Sequence, residues 1–404
     1  MPDDVFRNKK IILGVTGCIA AYKACYLTRE LKNRGAEVKV IMTPSALQFV
    51  SPLTFSSLSG NPVVVNIFPE SQQNGTEMTT WHIDYARWAD LILIAPATIN
   101  TVAKIVHGFA DNALTTLIAA ARSPVIVVPA ADVDMYLNKV TTDNIKKLEE
   151  LGYYIVHAEE GELASGLSGF GRMADINKIV DAGELVLSGI KKDLGGKKIL
   201  VTAGPTYEGI DPVRYLGNRS SGKMGYWLAK AAYLRGAEVT LISGPSNEIA
   251  YPEIKIHNVR TADEMKKAVV GELKKNDILI MAAAVADYKP SEAVSKKIKK
   301  EDKLTSLKLS QTDDILSSLR KDGKKIIGFA LETNNAEKNA LKKLKEKNLD
   351  MIVLNSLSDK QSGFEYDTNK IVIISKSGKK KNFPLQSKFR AANNILSEVL
   401  KLSY

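Results

Sequence analysis

The sequence predicts two doubly wound, Rossmann-like α/β domains in tandem, and three observations carry that reading. An apolar strand-like run, a glycine-bearing loop and a helical pattern occur near the N-terminus (KKIILGV, then TGCIAAYKACYLTRELKNRG). They recur about 190 residues later (KKILVTA, then GPTYEGIDPVRYLGNRSSGKMG). The runs between helical stretches are apolar at nearly every position and rich in β-branched residues, as strands covered by helices on both faces must be. Finally, 404 residues suffice for two cores. The segment LSGIKKDLGGKK, 187–198, interrupts the alternation with glycines and lysines, so domains are expected at 1–190 and 191–404.

In the first half the order is IILGV, a helix over 18–33, EVKVIM, a second helical stretch, LILIAPA, an alanine-rich helix over 112–122, and VIVVPA. In the second it is KILVTA, a helix over 223–235, EVTLIS, a helix over 262–274, DILIMAAAV, KIIGFA, a lysine-rich helix and DMIVLN. Alternating strands and helices of these lengths make parallel sheets. No short-period repeat runs through them.

Composition is that of an ordinary globular protein, 45% hydrophobic and 25% charged. The start, MPDDVFRNKK, lacks an apolar region behind its charges, and no apolar run reaches the roughly 20 residues that span a bilayer. The expectation is a cytoplasmic protein without a membrane partner. Cys18 and Cys25 stand seven apart on one expected helix, too few for a disulfide framework or thiolate metal site. They read as small buried residues; the alternative is a reactive Cys18 thiolate at a helix N-terminus. His82, His107, His157 and His257 are too scattered to mark a metal cluster. Residues 1–190 hold 16 Lys+Arg against 20 Asp+Glu, which leaves 40 against 25 for residues 191–404 out of a net +11. The lysines of KKIKKEDK, KNALKKLKEK and KSGKKK have no interleaved aromatics, so solvated faces and a polyphosphate site explain them better than nucleic acid does.

Neither glycine loop is a dinucleotide fingerprint. GVTGCIAAYK has G-x-x-G, and the second strand ends in VIMTPS without an acidic residue. The loop's backbone N–H groups, Thr16 and the helix N-terminus suit a single phosphate, and Ser45 after the second strand adds a hydroxyl, which suits a mononucleotide such as FMN. GNRSSGKM mimics a P-loop, but Met224 stands where magnesium needs a hydroxyl. What remains is an anionic or acyl group among Asn218, Ser220, Ser221 and the following helix N-terminus. His82, in TTWHIDYARWADLILIAPAT, precedes a strand whose C-terminal end faces the ligand crevice, where a base of near-neutral pKa belongs.

GVTGCIAAYK, HIDYARWADLILIAPAT, the ADN of 110–112, and PAADVDMY with SGLSGFGRM together resemble the flavin-dependent cysteine decarboxylases. TAGPTYEGIDPVRYLGNRSSGKMG, AAVADY, KIKK, GFALET and KNLDMIVLN resemble the phosphopantothenate-cysteine ligases. Their order resembles the fused bacterial family of coenzyme A synthesis, phosphopantothenoylcysteine decarboxylase joined to phosphopantothenate-cysteine ligase. The resemblance implies a flavodoxin-like decarboxylase domain followed by a ligase domain. FMN would be held by Gly14, Thr16, Gly17, Ser45, Ala95 and Thr98, with His82 catalytic. It implies CTP with Mg2+, bound by Asp287, Lys297, Thr312, Phe329, Lys343 and Lys347. Asn218 would handle the acyl-cytidylate formed from 4'-phosphopantothenate before L-cysteine displaces CMP. The product, 4'-phosphopantothenoylcysteine, would then be decarboxylated. It implies, too, a homo-oligomer with flavin sites at subunit interfaces, and no protein-held metal.

Two departures matter. The family's P-x-M-N-x-x-M is PAADVDM here, with Ala131 and Asp132, and its catalytic cysteine is Ser165. Serine is far less acidic than cysteine. Asp132 or another group supplies the last proton, or the half-reaction stops at an oxidised product. Thr312 and Asp313 stand where Asn-Pro is usual. Two other classes compete: a flavin-binding regulatory protein, opposed by the intact ligase motifs, and a nicotinamide oxidoreductase, opposed by the missing G-x-G-x-x-G.

Overall fold

In the computed structural model the chain divides into two units, Met1–Lys191 and Lys192–Tyr404. The structure describes residues 4–68, 80–292, 294–299, 306–332, 335–356, 363 and 366–402. Every candidate site residue lies among these; Lys300, the end of KIKK, lies outside the described residues.

In unit 1 the apolar runs become β1 (Lys10–Val15), β2 (Glu37–Met42), β3 (Val63–Val64), β4 (Leu91–Ala97), β5 (Val125–Pro129) and β6 (Tyr154–Ile155). They form one parallel sheet in the order β3-β2-β1-β4-β5-β6. Setting aside the two-residue edge strand β3 leaves the flavodoxin order, and the strand order reverses between β1 and β4. The covering helices are α1 (Lys23–Asn33), α2 (Pro52–Ser59), α3 (Trp81–Trp88), α4 (Ile99–Val106), α5 (Ala113–Ala119), α6 (Val133–Leu137), α7 (Lys139–Glu150) and α8 (Ile176–Leu187). A hairpin of β7 (Glu159–Glu162) and β8 (Ser168–Arg172) stands apart from the sheet. Ile12, Ile92, Ile94, Leu114 and Val127 are fully buried in one core, each stabilising the fold by about 1.5–3 kcal/mol.

Unit 2 opens with β9 (Lys198–Ala203), a short hairpin β10 (Tyr207–Gly209) and β11 (Tyr215–Gly217), and helix α9 (Lys223–Leu234). There follow β12 (Glu238–Ser243), β13 (Lys255–Asn258), α10 (Ala262–Leu273), β14 (Ile278–Met281), a second small hairpin of β15 (Tyr288–Pro290) and β16 (Leu309–Gln311), β17 (Lys325–Glu332), α11 (Ala336–Glu346) and β18 (Met351–Ser356). β19 (Thr368–Ser375), β20 (Lys380–Ser387) and α12 (Lys388–Val399) end the unit. The sheet order is β13-β12-β9-β14-β17-β18-β19-β20, parallel through β18 and antiparallel beyond. Its strand order reverses between β9 and β14, and Leu200, Leu279, Met265 and Ile352 fill the core beneath.

One aspartate device starts strands in both units. Asp90, just before β4, accepts from the Lys10 N–H at 2.8 Å and returns its own N–H to the Lys10 carbonyl at 2.7 Å. Asp277 does the same for Lys198, and Asp350 for Ile326. Each pair satisfies a strand-end N–H that the ladder would leave open.

Two expectations are corrected. The helix expected over 18–33 begins at Lys23, because Ile19–Tyr22 winds as a tighter 3-10 turn. Cys18 and Cys25 therefore do not share a helix. Burial pushes the Cys18 thiol up, outweighing nearby N–H groups, so it is not a poised thiolate. The lysines of KSGKKK lie at the β19–β20 turn and the start of β20.

Candidate functional site

Unit 1 brings the loop residues together at the C-terminal ends of β1, β2 and β4. Thr16, fully buried, donates its hydroxyl to the Pro96 carbonyl at 2.7 Å and accepts from the Thr98 N–H at 2.8 Å. Its side chain thus ties the loop after β1 to the loop after β4. Thr98 caps α4 by accepting from the Thr101 N–H, and Ala95 is fully buried on β4. Gly14 has no room for a side chain: a Cβ would stand 2.6 Å from Leu114 Cδ1. At Gly17 a Cβ would meet Ser45 Cβ at 2.6 Å and the Ser45 carbonyl oxygen at 2.8 Å. Only glycine lets the first two loops approach so closely. Thr43, at the end of β2, has a buried Oγ1 with no partner among the described residues. A shielded hydroxyl left open in this way wants a ligand atom.

The three residues proposed for chemistry in this unit are placed separately. His82 is half-buried in the first turn of α3, its ring edge-on to Trp81 at 5.8 Å, and among the described residues its imidazole has no hydrogen bond. Asp132 is half-buried at the N-cap position of α6, but its side chain caps nothing. Ser165 is exposed at the tip of the β7–β8 hairpin, accepting from the Leu167 N–H at 3.4 Å. The hairpin base rests on the Asp132 segment: the Ala131 N–H donates to the Gly171 carbonyl, and a Cβ at Gly171 would stand 2.3 Å from the Ala131 oxygen.

Unit 2 builds a cleft of about 660 Å³ at the C-terminal ends of β14, β17 and β18. Asn218, Asp287, Thr312, Phe329, Lys343 and Lys347 all line it. Lys297 does not line it: the side chain is exposed, on a segment where Asp211 Oδ2 accepts from the Ile298 N–H at 3.2 Å and Arg214 donates to the Ile298 carbonyl. Threonines knit the cleft floor. Thr202 Oγ1 accepts from the Ala283 N–H, Thr206 Oγ1 from the Ala286 N–H, and Thr312 donates to the Ala286 carbonyl at 2.6 Å. Asn218 Nδ2 donates to the Ala284 and Val285 carbonyls, both at 3.0 Å, clamping its loop to the floor.

The cationic wall is α11. Lys343 and Lys347 are four apart and so share one helix face. Lys343 donates to the Phe329 carbonyl at 2.8 Å; burial, then repulsion from Lys347, pull its pKa down. Burial works to raise the Asp314 carboxyl, but Lys347, at 2.8 Å, and Ser317 hold it below the usual range. The Asp287 carboxylate has no hydrogen bond among the described residues.

Among the lining residues that escaped the sequence reading, two stand out. Asn355, the last residue of MIVLN, has a buried Oδ1 without a partner among the described residues. Lys388 also lines the cleft. Its signal was available: a lysine opening a helix opposes the helix dipole.

A flavoprotein family model matches residues 3–185, and the DNA/pantothenate metabolism flavoprotein C-terminal domain matches 194–402. The chain is 44% identical over 404 residues to the coenzyme A biosynthesis bifunctional protein CoaBC of Bacillus subtilis (strain 168), covering 99% of this chain and 98% of that one. The chain belongs to this family of bifunctional coenzyme A biosynthesis proteins. It is an enzyme of coenzyme A synthesis with a ligase and a decarboxylase activity. It is also 45% identical over 361 residues to a cysteine/cysteine sulfinic acid decarboxylase of an unknown prokaryotic organism, covering 87% of this chain and 99% of that one. A crystal structure of the C-terminal domain of a coenzyme A biosynthesis bifunctional protein CoaBC is similar at 40% identity, with a TM-score of 0.44, over 51% of this chain and 95% of that one.

Proposed function

We propose that unit 2 joins 4'-phosphopantothenate to L-cysteine using CTP with Mg2+, and that unit 1 decarboxylates the resulting 4'-phosphopantothenoylcysteine with FMN. The observation that carries the ligase reading is the convergence of Asn218, Asp287, Thr312, Phe329, Lys343 and Lys347, from separate elements, on one cleft. Activating the carboxylate as an acyl-cytidylate exchanges a poor leaving group for CMP; the cysteine amine then attacks the acyl carbon and CMP departs. Lys343 and Lys347 neutralise the nucleotide, and Asn218 holds the floor carbonyls against the reacting acyl group. An Mg2+ entering with the phosphates needs only one or two protein carboxylates, and Asp287 is free to face it. Lys297 acts on the triphosphate only if its segment closes over the cleft. An intact ligase cleft also speaks against a purely regulatory flavoprotein.

The unit 1 residues fit a flavin mononucleotide: the open Thr43 hydroxyl, the Gly17–Ser45 approach and the Thr16–Thr98 tie make a tight polar cradle. Gly14, Thr16, Gly17, Ser45, Ala95 and Thr98 would hold it. A bound flavin would supply the two-electron oxidant for the substrate thiol, and with it the electron sink that carbon dioxide loss requires. His82, whose imidazole makes no hydrogen bond among the described residues, accepts and returns protons beside the substrate. The base of the Ser165 hairpin rests on the Asp132 segment, which supports a role for this region in delivering the product's proton. Exposed Ile19, Tyr22, Tyr26, Leu47, Phe49 and Leu53 on the elements after β1 and β2 support self-association with flavin sites at the subunit interfaces. Among the described residues no helix is long and apolar enough to cross a membrane, and a cytoplasmic location is part of this reading.

Purified enzyme given 4'-phosphopantothenate, cysteine and CTP should release pyrophosphate and CMP and then carbon dioxide, while free cysteine alone should release none. Equal turnover with ATP would overturn the CTP assignment. Carbon dioxide from free cysteine would move the substrate toward that of the cysteine decarboxylase relative.

A further inference from the structure

Lys388, the first residue of α12, is only 2% exposed, yet it lines the unit 2 cleft. Burying an ammonium is costly unless its donors are satisfied. Here they are met by backbone: Nζ donates to the Gly363 carbonyl at 2.8 Å and to that of Tyr366. The same short segment is fastened at three further points. The Lys388 N–H donates to the Asp367 carbonyl at 2.9 Å. Asn369, 1% exposed, accepts from the Gly363 N–H and sets its Nδ2 3.2 Å from Met224 Sδ on α9. The Asp367 carboxylate pairs with Lys223 Nζ at 2.6 Å, on the first residue of α9. A continuous chain of contacts therefore runs from the Lys388 ammonium to the first turn of α9, whose residues Gly222, Lys223 and Met224 form the cleft wall beside Ser220 and Ser221.

We propose that Lys388 is a positioning residue of the ligase reaction: its ammonium holds residues 363 and 366–369 against the N-terminus of α9 and so sets the wall on which an anionic reactant rests. This rests on the reading of the cleft as the ligase site. The charge is conditional. Burial first, and Lys223 second, bring the Lys388 pKa down to about 8, while Asp367 and Glu248, the acidic groups facing it, oppose the fall. The latch is largely charged at neutral pH and loses its charge as pH rises through that value.

The test is steady-state pyrophosphate release by the full-length enzyme, a step that precedes cysteine, with CTP varied from about pH 6.5 to about 9.5. In Lys388→Met the KM for CTP should rise about tenfold at neutral pH with kcat within about twofold. Lys388→Arg, which keeps its charge throughout, should restore the neutral KM and lack the rise that wild-type enzyme shows above about pH 8. A wild-type KM in Lys388→Met, or the same alkaline rise in Lys388→Arg, would overturn the proposal. Should Lys388→Met not fold, Asp367→Asn removes the Lys223 pair from a 62% exposed side chain and should raise the same KM about threefold; an unchanged KM there overturns it equally. Wild-type enzyme that releases no pyrophosphate with any nucleotide would sink the ligase reading instead.

Discussion

The two units begin alike and part company in their first loops. In each, a buried strand led by KK is followed by a helix that ends in the same five residues, Arg34 to Val38 in unit 1 and Arg235 to Val239 in unit 2. The arginine ends the helix, the glycine turns at positive φ, and the glutamate opens the next strand. Between strand and helix, unit 1 spends residues 16–22 and unit 2 residues 204–222, which include a hairpin. The short loop pulls Gly17 onto Ser45 and leaves a tight cradle; the long one carries Asn218 out over β14 to clamp a broad cleft. One framework thus yields a tight cradle in one copy and a broad cleft in the other, because loop length decides how far polar groups reach beyond the strand ends.

The arginines also differ. Arg235 is fully buried, gripping Asp193 through Nε and Nη2 and the Asn393 carbonyl through Nη1. Arg34 instead serves an acidic cluster: Glu30 at 3.1 Å, Glu184 at 3.3 Å and Asp4 at 4.0 Å. Burial lifts Glu184 to about 7, against the pull of Arg34 and with help from Asp181 and Asp4. The first helix is locked by a permanent bidentate pair in unit 2 and by a titrating cluster in unit 1.

The sharpest way to separate the halves is His82→Asn. Carbon dioxide release should fall about 10²- to 10⁴-fold, the range of a lost general base, with bound flavin absorbance and ligation unchanged. Loss of ligation in that variant breaks the division of labour. Asn218→Asp is the reciprocal probe. An aspartate cannot donate to the Ala284 and Val285 carbonyls and repels them, at a cost of about 1–3 kcal/mol. The acyl-cytidylate should form but convert to amide at least about tenfold more slowly. Quenched reactions analysed by mass spectrometry should show it accumulate, and its absence removes Asn218 from the second step.

Gly225→Ala tests packing. A Cβ there would stand 2.5 Å from Ala203 Cβ and 2.9 Å from the Thr202 oxygen, and neither the strand nor the helix can yield. Overpacking of this kind costs about 1–3 kcal/mol. The melting step of unit 2 should fall by several degrees while unit 1 keeps its flavin; a common shift in both would mean that the units do not melt separately.

The smallest effect concerns Glu184. Its folded pKa lies above the unfolded value, so in the interval between them the folded state binds more protons. The stabilisation is fully present below about pH 4.5 and is lost as pH rises through about 7. Glu184→Gln should flatten the decline in unit 1 stability between those values by on the order of 1 kcal/mol, and an unchanged slope in calorimetry would clear Glu184 of it. The Arg235 lock in unit 2 should show no such decline.

Much was legible along the chain because its causes are local. Apolar runs such as LILIAPA and KILVTA had to be buried strands, and the motifs around Asn218, Asp287, Phe329 and Lys343 marked residues that meet in one cleft. Other features depended on contacts distant in sequence. The hydroxyl of Thr16, which reads as a phosphate ligand, joins two loops 80 residues apart. The 3-10 turn at Ile19–Tyr22 shifts the first helix start, and KSGKKK falls at a hairpin because Ile371 to Ile374 pair with β18.

Strand periodicity, the tandem βαβ plan and the family motifs are properties of neighbouring residues, so composition and spacing suffice to determine them. Whether a polar group ends up spent, exposed or orphaned is settled by what packs against it from afar. Asn355 keeps an oxygen unpartnered among the described residues, Lys297 stays outside the cleft walls and Lys388 becomes a buried cation at the cleft wall only after β18, β20 and α12 are assembled. Desolvation and hydrogen-bond geometry arise from three-dimensional neighbours, and those exist only once the chain has folded.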